Sequence, residues 1–126
     1  MYTAVMAQRI LVVDSFVDNA ESLGLLLARE GRAVDVVTTG REAIGRGMMW
    51  RPHLIVLDLG LPDLPGEEVA ATLRAGGSTA FIVAYSGHHK REGAALAAGC
   101  DTFILKPQLD ALLAIADSVN QKVAKA

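Results

Sequence analysis

Two periodicities alternate along the chain. ILVVD (10–14) is a short β-rich apolar run, the pattern of a buried strand. From Asp18 the period lengthens: Ala20, Leu23, Leu26 and Leu27 share one helical face, and Gly31 follows as a stop. Asp18 with Glu21 resembles a capping box for that helix. AVDVVT (33–38) reads as a second strand. Residues 41–49 make a weak helix, because Gly45 and Gly47 each cost it about 1 kcal/mol relative to Ala. HLIVLD (53–58) is a third strand that again ends in an acid, and the Pro- and Gly-rich LGLPDLPG (59–66) that follows is loop. A helix over 67–75 leads to the strand TAFIVAY (79–85), which ends at Ser86-Gly87. An alanine-rich helix over 90–98 stops at Gly99. DTFIL (101–105) is the fifth strand, ending at Lys106-Pro107. The last helix puts Leu109, Leu112, Leu113, Ala116 and Val119 on one stripe.

Strand and helix thus alternate five times, and the central strands are nearly continuous Val/Ile/Leu runs. That is the pattern of parallel strands covered on both faces, and right-handed crossovers lead to a doubly wound α/β sandwich. Ligands of such sheets sit beyond the carboxyl ends of the strands. Strand one delivers Asp14 there, strand three Asp58, strand four Ser86 and strand five Lys106. Strand two ends in Thr38-Thr39-Gly40 and adds nothing distinctive. Two carboxylates suit a hard cation such as Mg²⁺, and a lysine with a hydroxyl suits the oxygens of a phosphoryl group. The chain has no G-x-x-x-x-G-K-[ST] loop, no G-x-G-x-x-G after strand one, and no G-x-S-x-G around Ser86. Without a nucleotide cradle, a carboxylate at the sheet centre becomes the candidate to carry the phosphoryl group itself.

Composition narrows the class further. The chain has 126 residues, enough for one domain with a real core; 52% are hydrophobic and 21% charged, as in globular proteins. A net charge of −2, with acids and bases scattered, offers no basic stripe for nucleic acid and no polybasic arm for a membrane. No apolar run reaches the ~20 residues that span a bilayer, and MYTAVMAQ lacks the shape of a signal peptide. Met6 could serve as an alternative start. The single Cys100 cannot form an internal disulfide and reads as a small buried hydrophobe in a reducing, cytoplasmic setting. His88-His89 could suggest a transition-metal site, but adjacent histidines rarely both ligate one metal, so an exposed loop pair is the reading preferred.

The order ILVVD, LIVLDLGLPDLPG, YSG (85–87) and FILKP (103–107) resembles the receiver domain of response regulators in two-component signalling. Pro62 and Gly66 stand at that family's distances after Asp58, and the likeness covers about residues 9–120. The resemblance implies a flavodoxin-like (βα)5 fold with strand order 2-1-3-4-5. It divides the chain into an N-terminal tail (1–8), a receiver domain (9–122) and a C-terminal tail (123–126). It also implies that Asp58 accepts a phosphoryl group from a phosphohistidine on a histidine kinase or histidine phosphotransfer protein. Lys106 would pair with the acceptor and then with the phosphoryl oxygens, aimed by a Lys106-Pro107 peptide that is usually cis in the family. Ser86 would swing in to bind the phosphoryl group, and Phe103 would be the switch aromatic; a plain half-buried strand aromatic is the rival reading of Phe103. Gly60 and Gly87 would offer backbone to the phosphoryl group, and Gly60 a carbonyl to the metal. Gly60 and His88 stand where the family tunes how fast water removes the phosphoryl group. The signal would leave through the 90–122 face to a protein partner. Such a domain assists its own phosphotransfer, so it is not an enzyme in the ordinary sense.

The family normally places two acids after strand one, the first acting through water and the second binding Mg²⁺ directly. Asp14 matches the first, but Ser15 stands in place of the second. A neutral hydroxyl substitutes poorly for an anionic oxygen, so metal ligation by Asp14, Asp58 and the Gly60 carbonyl is expected at weakened affinity. Three outcomes stay open: Asp14 ligates directly, phosphorylation is slow or needs order supplied by the kinase, or a receiver-like interaction module signals without phosphorylation. A phosphoryl hydrolase with an aspartyl intermediate is disfavoured. Its second aspartate would fall where Leu59-Gly60 stands, and the length leaves no room for a cap.

Overall fold

The computed structural model describes residues 7–125. Its elements are β1 (Arg9–Val13), α1 (Val17–Leu27), β2 (Ala33–Val37), α2 (Gly40–Trp50), β3 (Leu54–Leu57), α3 (Gly66–Ala75), β4 (Phe81–Ser86), α4 (Glu92–Ala98), β5 (Thr102–Leu105) and α5 (Leu109–Lys125). The strands form one five-stranded sheet in the order β2-β1-β3-β4-β5, with every neighbouring pair parallel. This is the doubly wound arrangement that the alternation of runs predicts.

The period of two along each strand divides the core into two layers. Leu11, Val13, Ile55, Leu57, Ile82 and Ala84 point to one face, where Ala43 of α2, Val69 and Leu73 of α3, and Ala95 of α4 cover them. Ile10, Val12, Leu54, Val56, Val83 and Ile104 point to the other, under Ala20 and Leu27 of α1 and Leu112 and Ala116 of α5. Gly47 is the close-approach point of the first layer: a Cβ there would lie 2.8 Å from Cδ2 of Leu73, so α2 and α3 meet over a missing side chain. Gly45, two residues earlier and on the opposite side of the same helix, faces open space. Cys100 is buried, and burial pushes its thiol up to about 11.

Several boundaries differ from the sequence expectation. Asp18 does not cap α1. The helix begins a residue earlier, Phe16 takes the capping position without a side-chain bond, and the free Phe16 N–H is met at 2.9 Å by Asp14 Oδ1 from the preceding strand end. A capping box does form at α2, where Thr39 Oγ1 accepts from the Glu42 N–H at 3.2 Å and donates to Glu42 Oε1 at 2.9 Å. β4 starts at Phe81, where pairing with Leu54 begins, and runs through Ser86. α4 starts only at Glu92, after a 3-10 turn at His89–Arg91. Of the expected N-terminal tail, residues 1–6 lie outside the described residues, but Gln8 is buried and its amide donates to the Ala116 carbonyl at 3.1 Å. α5 continues to Lys125, past the boundary expected after residue 122. Among the described residues, no helix is long and apolar enough to cross a membrane.

Candidate functional site

The parallel ladder carries the first and third strands to adjacent ends. The Asp14 N–H donates to the Val37 carbonyl and the Asp58 N–H to the Val13 carbonyl, at 3.2 and 2.9 Å, so both acids sit one step beyond their strands. Asp14 is buried and has both oxygens engaged: Oδ1 by the Phe16 N–H at 2.9 Å and Oδ2 by Lys106 Nζ at 3.0 Å. Lys106 Nζ lies 3.9 Å from Asp58 Oδ2. One ammonium therefore serves two carboxylates and is drawn closer to Asp14. Ser15 turns its hydroxyl to the Gly60 carbonyl, at 3.4 Å.

Lys106 comes off β5 directly opposite the end of β4, its N–H donating to the Ser86 carbonyl at 2.9 Å. The peptide that follows, Lys106-Pro107, is cis, as the resemblance implies. The ammonium lies 5.5 Å from the centroid of the Tyr85 ring, a cation–π distance. Ser86 is fully buried, and its Oγ accepts from the His88 N–H at 3.2 Å. Gly87 follows it at the exposed rim, with open space where a Cβ would stand. Phe103 is half-buried, paired with Ala84 across the ladder and packed on the α2–α3–α4 side of the core. His88 and His89 are exposed, as the loop reading has them.

The loop after Asp58 is held from several directions. The Gly60 N–H donates to Asp58 Oδ1 at 3.2 Å. Gly60 and Pro65 form a bridge, and the Gly66 N–H donates to the Leu59 carbonyl at 2.9 Å. Gly66 is obligatory here, because a Cβ would fall 2.6 Å from Leu59 Cα and 2.7 Å from the Asp58 carbonyl oxygen. Asp63 reaches across to cap α2, accepting from the Gly40 and Arg41 N–H groups at 2.7 and 3.0 Å. Those backbone donors hold its carboxyl below the usual range. Arg91 reaches back from the 3-10 turn: Nη2 donates to the Leu59 carbonyl at 2.9 Å and Nε to Glu67 Oε2 at 2.8 Å. Asp63, Glu67, Arg91 and Tyr85 carry no role in the sequence reading. Their partners lie far off in the chain, and nothing in their own spacing announces them.

Electrostatically the site is an acid held partly out of water. Burial pushes the Asp58 carboxyl above its usual range, and the Asp14 carboxylate adds to that, against the Lys106 ammonium and the Gly60 N–H. Burial likewise raises the Tyr85 phenol. The oxygen donors that could meet a cation are the Asp14 and Asp58 carboxylates, the Gly60 carbonyl and the Ser15 hydroxyl. This all-oxygen set fits a hard ion such as Mg²⁺, though among the described residues no group of three or more His, Cys, Asp or Glu is arranged to hold a metal.

The profile of the response regulator receiver domain matches residues 10–117. The chain belongs to that family. Among its relatives, the DNA-binding response regulator MtrA of Mycobacterium tuberculosis is 35% identical over 103 residues, covering 81% of this chain and 45% of MtrA. The response regulator MprA of Mycolicibacterium vanbaalenii is 38% identical over 112 residues, 86% of this chain and 48% of MprA. The receiver therefore spans about half the length of the curated relatives it matches. A CheY-like receiver domain protein from Methanospirillum hungatei superposes with a TM-score of 0.84 at 24% identity, over 96% of this chain and 100% of that one. The response regulator TrrA from Thermotoga maritima, solved in complex with Mg²⁺ and BeF, gives 0.80 at 27% identity over 89% and 98% of the two chains. This receiver brings Asp14, Ser15, Asp58, Gly60, Ser86 and Lys106 to one end of its sheet. Phe103 stands apart from them, on the core side of β5.

Proposed function

We propose that this receiver of a two-component system accepts a phosphoryl group on Asp58 from a phosphohistidine of a histidine kinase or histidine phosphotransfer protein, in the cytoplasm. The observation that carries the reading is the single Lys106 ammonium, 3.0 Å from Asp14 and 3.9 Å from Asp58, beside a partly desolvated Asp58 carboxylate. An Asp58 oxygen attacks phosphorus as the phosphorus–nitrogen bond to the donor imidazole breaks. The electron pair leaves with the imidazole nitrogen, which takes up a proton from solvent. The transferred group brings ~1.5–2 negative charges, and Lys106 shifts its weight from Asp14 toward the new oxygens. The Gly60 N–H, already on Asp58, is available to a phosphoryl oxygen, and the Gly87 backbone lies at the same rim.

Mg²⁺ held by Asp58, Asp14, the Gly60 carbonyl and Ser15 would neutralise phosphoryl oxygens, at an affinity lowered by the serine. Ser86 then leaves the His88 N–H for the phosphoryl group, and Phe103 takes up the space released. That movement alters the 90–122 face, where a downstream protein reads the state. The coupling expected is ~1–3 kcal/mol, the usual scale of such shifts. The chain's own groups assist transfer and later hydrolysis without making it an enzyme in the ordinary sense.

The test is incubation with phosphoramidate, with and without Mg²⁺, read as a phosphate-affinity gel shift beside Asp58→Asn. One shifted species that the substitution removes supports the reading. No shift under any condition, with partner binding unaltered by Asp58→Asn, sinks it in favour of an interaction module that works without phosphorylation.

A further inference from the structure

The phosphoacceptor is held by a peptide that is itself held from behind. The N–H that donates to Asp58 Oδ1 belongs to Gly60, and the carbonyl of the same peptide unit belongs to Leu59. The unit is planar and trans, so its N–H and C=O point in opposite directions, and whatever grips the oxygen aims the hydrogen. Two donors grip that oxygen, the Gly66 N–H and Arg91 Nη2, both at 2.9 Å. The guanidinium cannot wander, because Glu67 binds it through both carboxylate oxygens, Oε2 lying 2.8 Å from Nε. Glu67 sits in the first turn of α3, immediately after the obligatory Gly66. Packing around residue 60 gives no such control: a Cβ at Gly60 would touch nothing within 4 Å, so hydrogen bonds and the bridge to Pro65, rather than side-chain contacts, hold the backbone there.

We propose that Arg91 is a positioning residue for phosphotransfer: clamped by Glu67, it fixes and polarises the Leu59–Gly60 peptide so that the N–H stays aimed at Asp58 and at the phosphoryl group Asp58 receives. This rests on the phosphoacceptor reading above. A cation on the carbonyl oxygen strengthens the N–H on the other side as a donor, because hydrogen bonds in a chain polarise one another. Arg91 lies on the turn between Ser86 and α4, so the same contact joins the acceptor to the segment that would move.

The experiment compares Arg91→Gln, Arg91→Lys and Glu67→Gln by two readouts: the Gly60 amide in ¹H–¹⁵N spectra of the unphosphorylated protein, and the rate of phosphorylation by phosphoramidate. Arg91→Gln should speed Gly60 amide exchange and slow phosphorylation, each about tenfold, the loss that one charge-assisted hydrogen bond commonly carries. Glu67→Gln and Arg91→Lys should fall between, the first keeping the bond to Leu59 and the second the charge. β1 and β2 amides should stay in place in all three. An unmoved Gly60 amide in Arg91→Gln overturns the proposal, even if phosphorylation slows. If Arg91→Gln does not fold, the same Gly60 shift in the other two variants decides. A wild-type protein that never takes the phosphoryl group defeats the functional reading instead, and the Gly60 amide still tests Arg91.

Discussion

Gly66→Ala should damage the acceptor loop out of proportion to one methyl group. An added Cβ would lie 2.6 Å from Leu59 Cα, 2.7 Å from the Asp58 carbonyl oxygen and 2.8 Å from Leu59 Cδ2. The last contact could be relieved by rotation, although Leu59 is fully buried. The first two are backbone, and reaching an ordinary carbon contact of about 3.5 Å requires the start of α3 and the end of β3 to separate by nearly 1 Å. That shift stretches the 2.9 Å bond from the Gly66 N–H to the Leu59 carbonyl. Overpacking costs ~1–3 kcal/mol and a weakened hydrogen bond ~1 kcal/mol. Alanine's better helix propensity returns less than ~1 kcal/mol, because residue 66 is the first of its helix. The net loss expected is about 2–3 kcal/mol. Urea unfolding followed by circular dichroism checks it, as a fall of about 1–2 M in midpoint at unchanged slope. Phosphorylation of Asp58 should slow in the same variant, since the displaced atoms belong to Asp58 and Leu59. A loss under about 0.5 kcal/mol would refute the steric reasoning.

Three other outcomes follow from single residues. Gly45→Ala, which meets open space on an exposed helix face, should stabilise the protein by ~0.5–1 kcal/mol, whereas Gly47→Ala must push Leu73 aside and should not; paired urea curves distinguish them. Asp58 has a folded-state pKa raised by burial, so its contribution to stability is complete below the unfolded carboxyl pKa and is lost as pH rises through the folded value. Asp58→Asn should accordingly be more stable than wild type near pH 7, with the gain disappearing below about pH 4; a less stable Asn variant at pH 7 would contradict this. Ser15→Asp should tighten Mg²⁺ binding by about tenfold or more in calorimetric titration. In metal-free buffer it should lower stability, because three carboxylates would then share Lys106. An unchanged affinity would mean that Ser15 does not limit the metal site.

The sheet was legible because its strands are short Val/Ile/Leu runs whose ends carry Asp14, Asp58, Ser86 and Lys106, and parallel pairing brings those ends together whatever the loops do. The departure at Ser15 was equally plain, as a matter of residue type at a fixed position. What the sequence hides is settled by contacts across the chain. Asp18 has the spacing of a cap, yet Asp14 meets the helix's first N–H from the strand before it. Asp63 looks like a turn residue and instead caps the start of α2, at Gly40, twenty-three residues earlier. Gly45 and Gly47 are equivalent to helix propensity, and only the approach of Leu73 separates them. Arg91 sits in a basic run that resembles any solvated turn, and its role depends on a carbonyl thirty-two residues earlier.

The most direct measurement is to locate the phosphoryl group chemically. Protein treated with phosphoramidate and then reduced with borohydride converts an aspartyl phosphate to homoserine, which tandem mass spectrometry assigns to a residue. The account predicts homoserine at position 58 and nowhere else, with yield falling when Lys106 is replaced by Ala. Homoserine at Asp14 or another acid, or none in protein that carries phosphate, would contradict it.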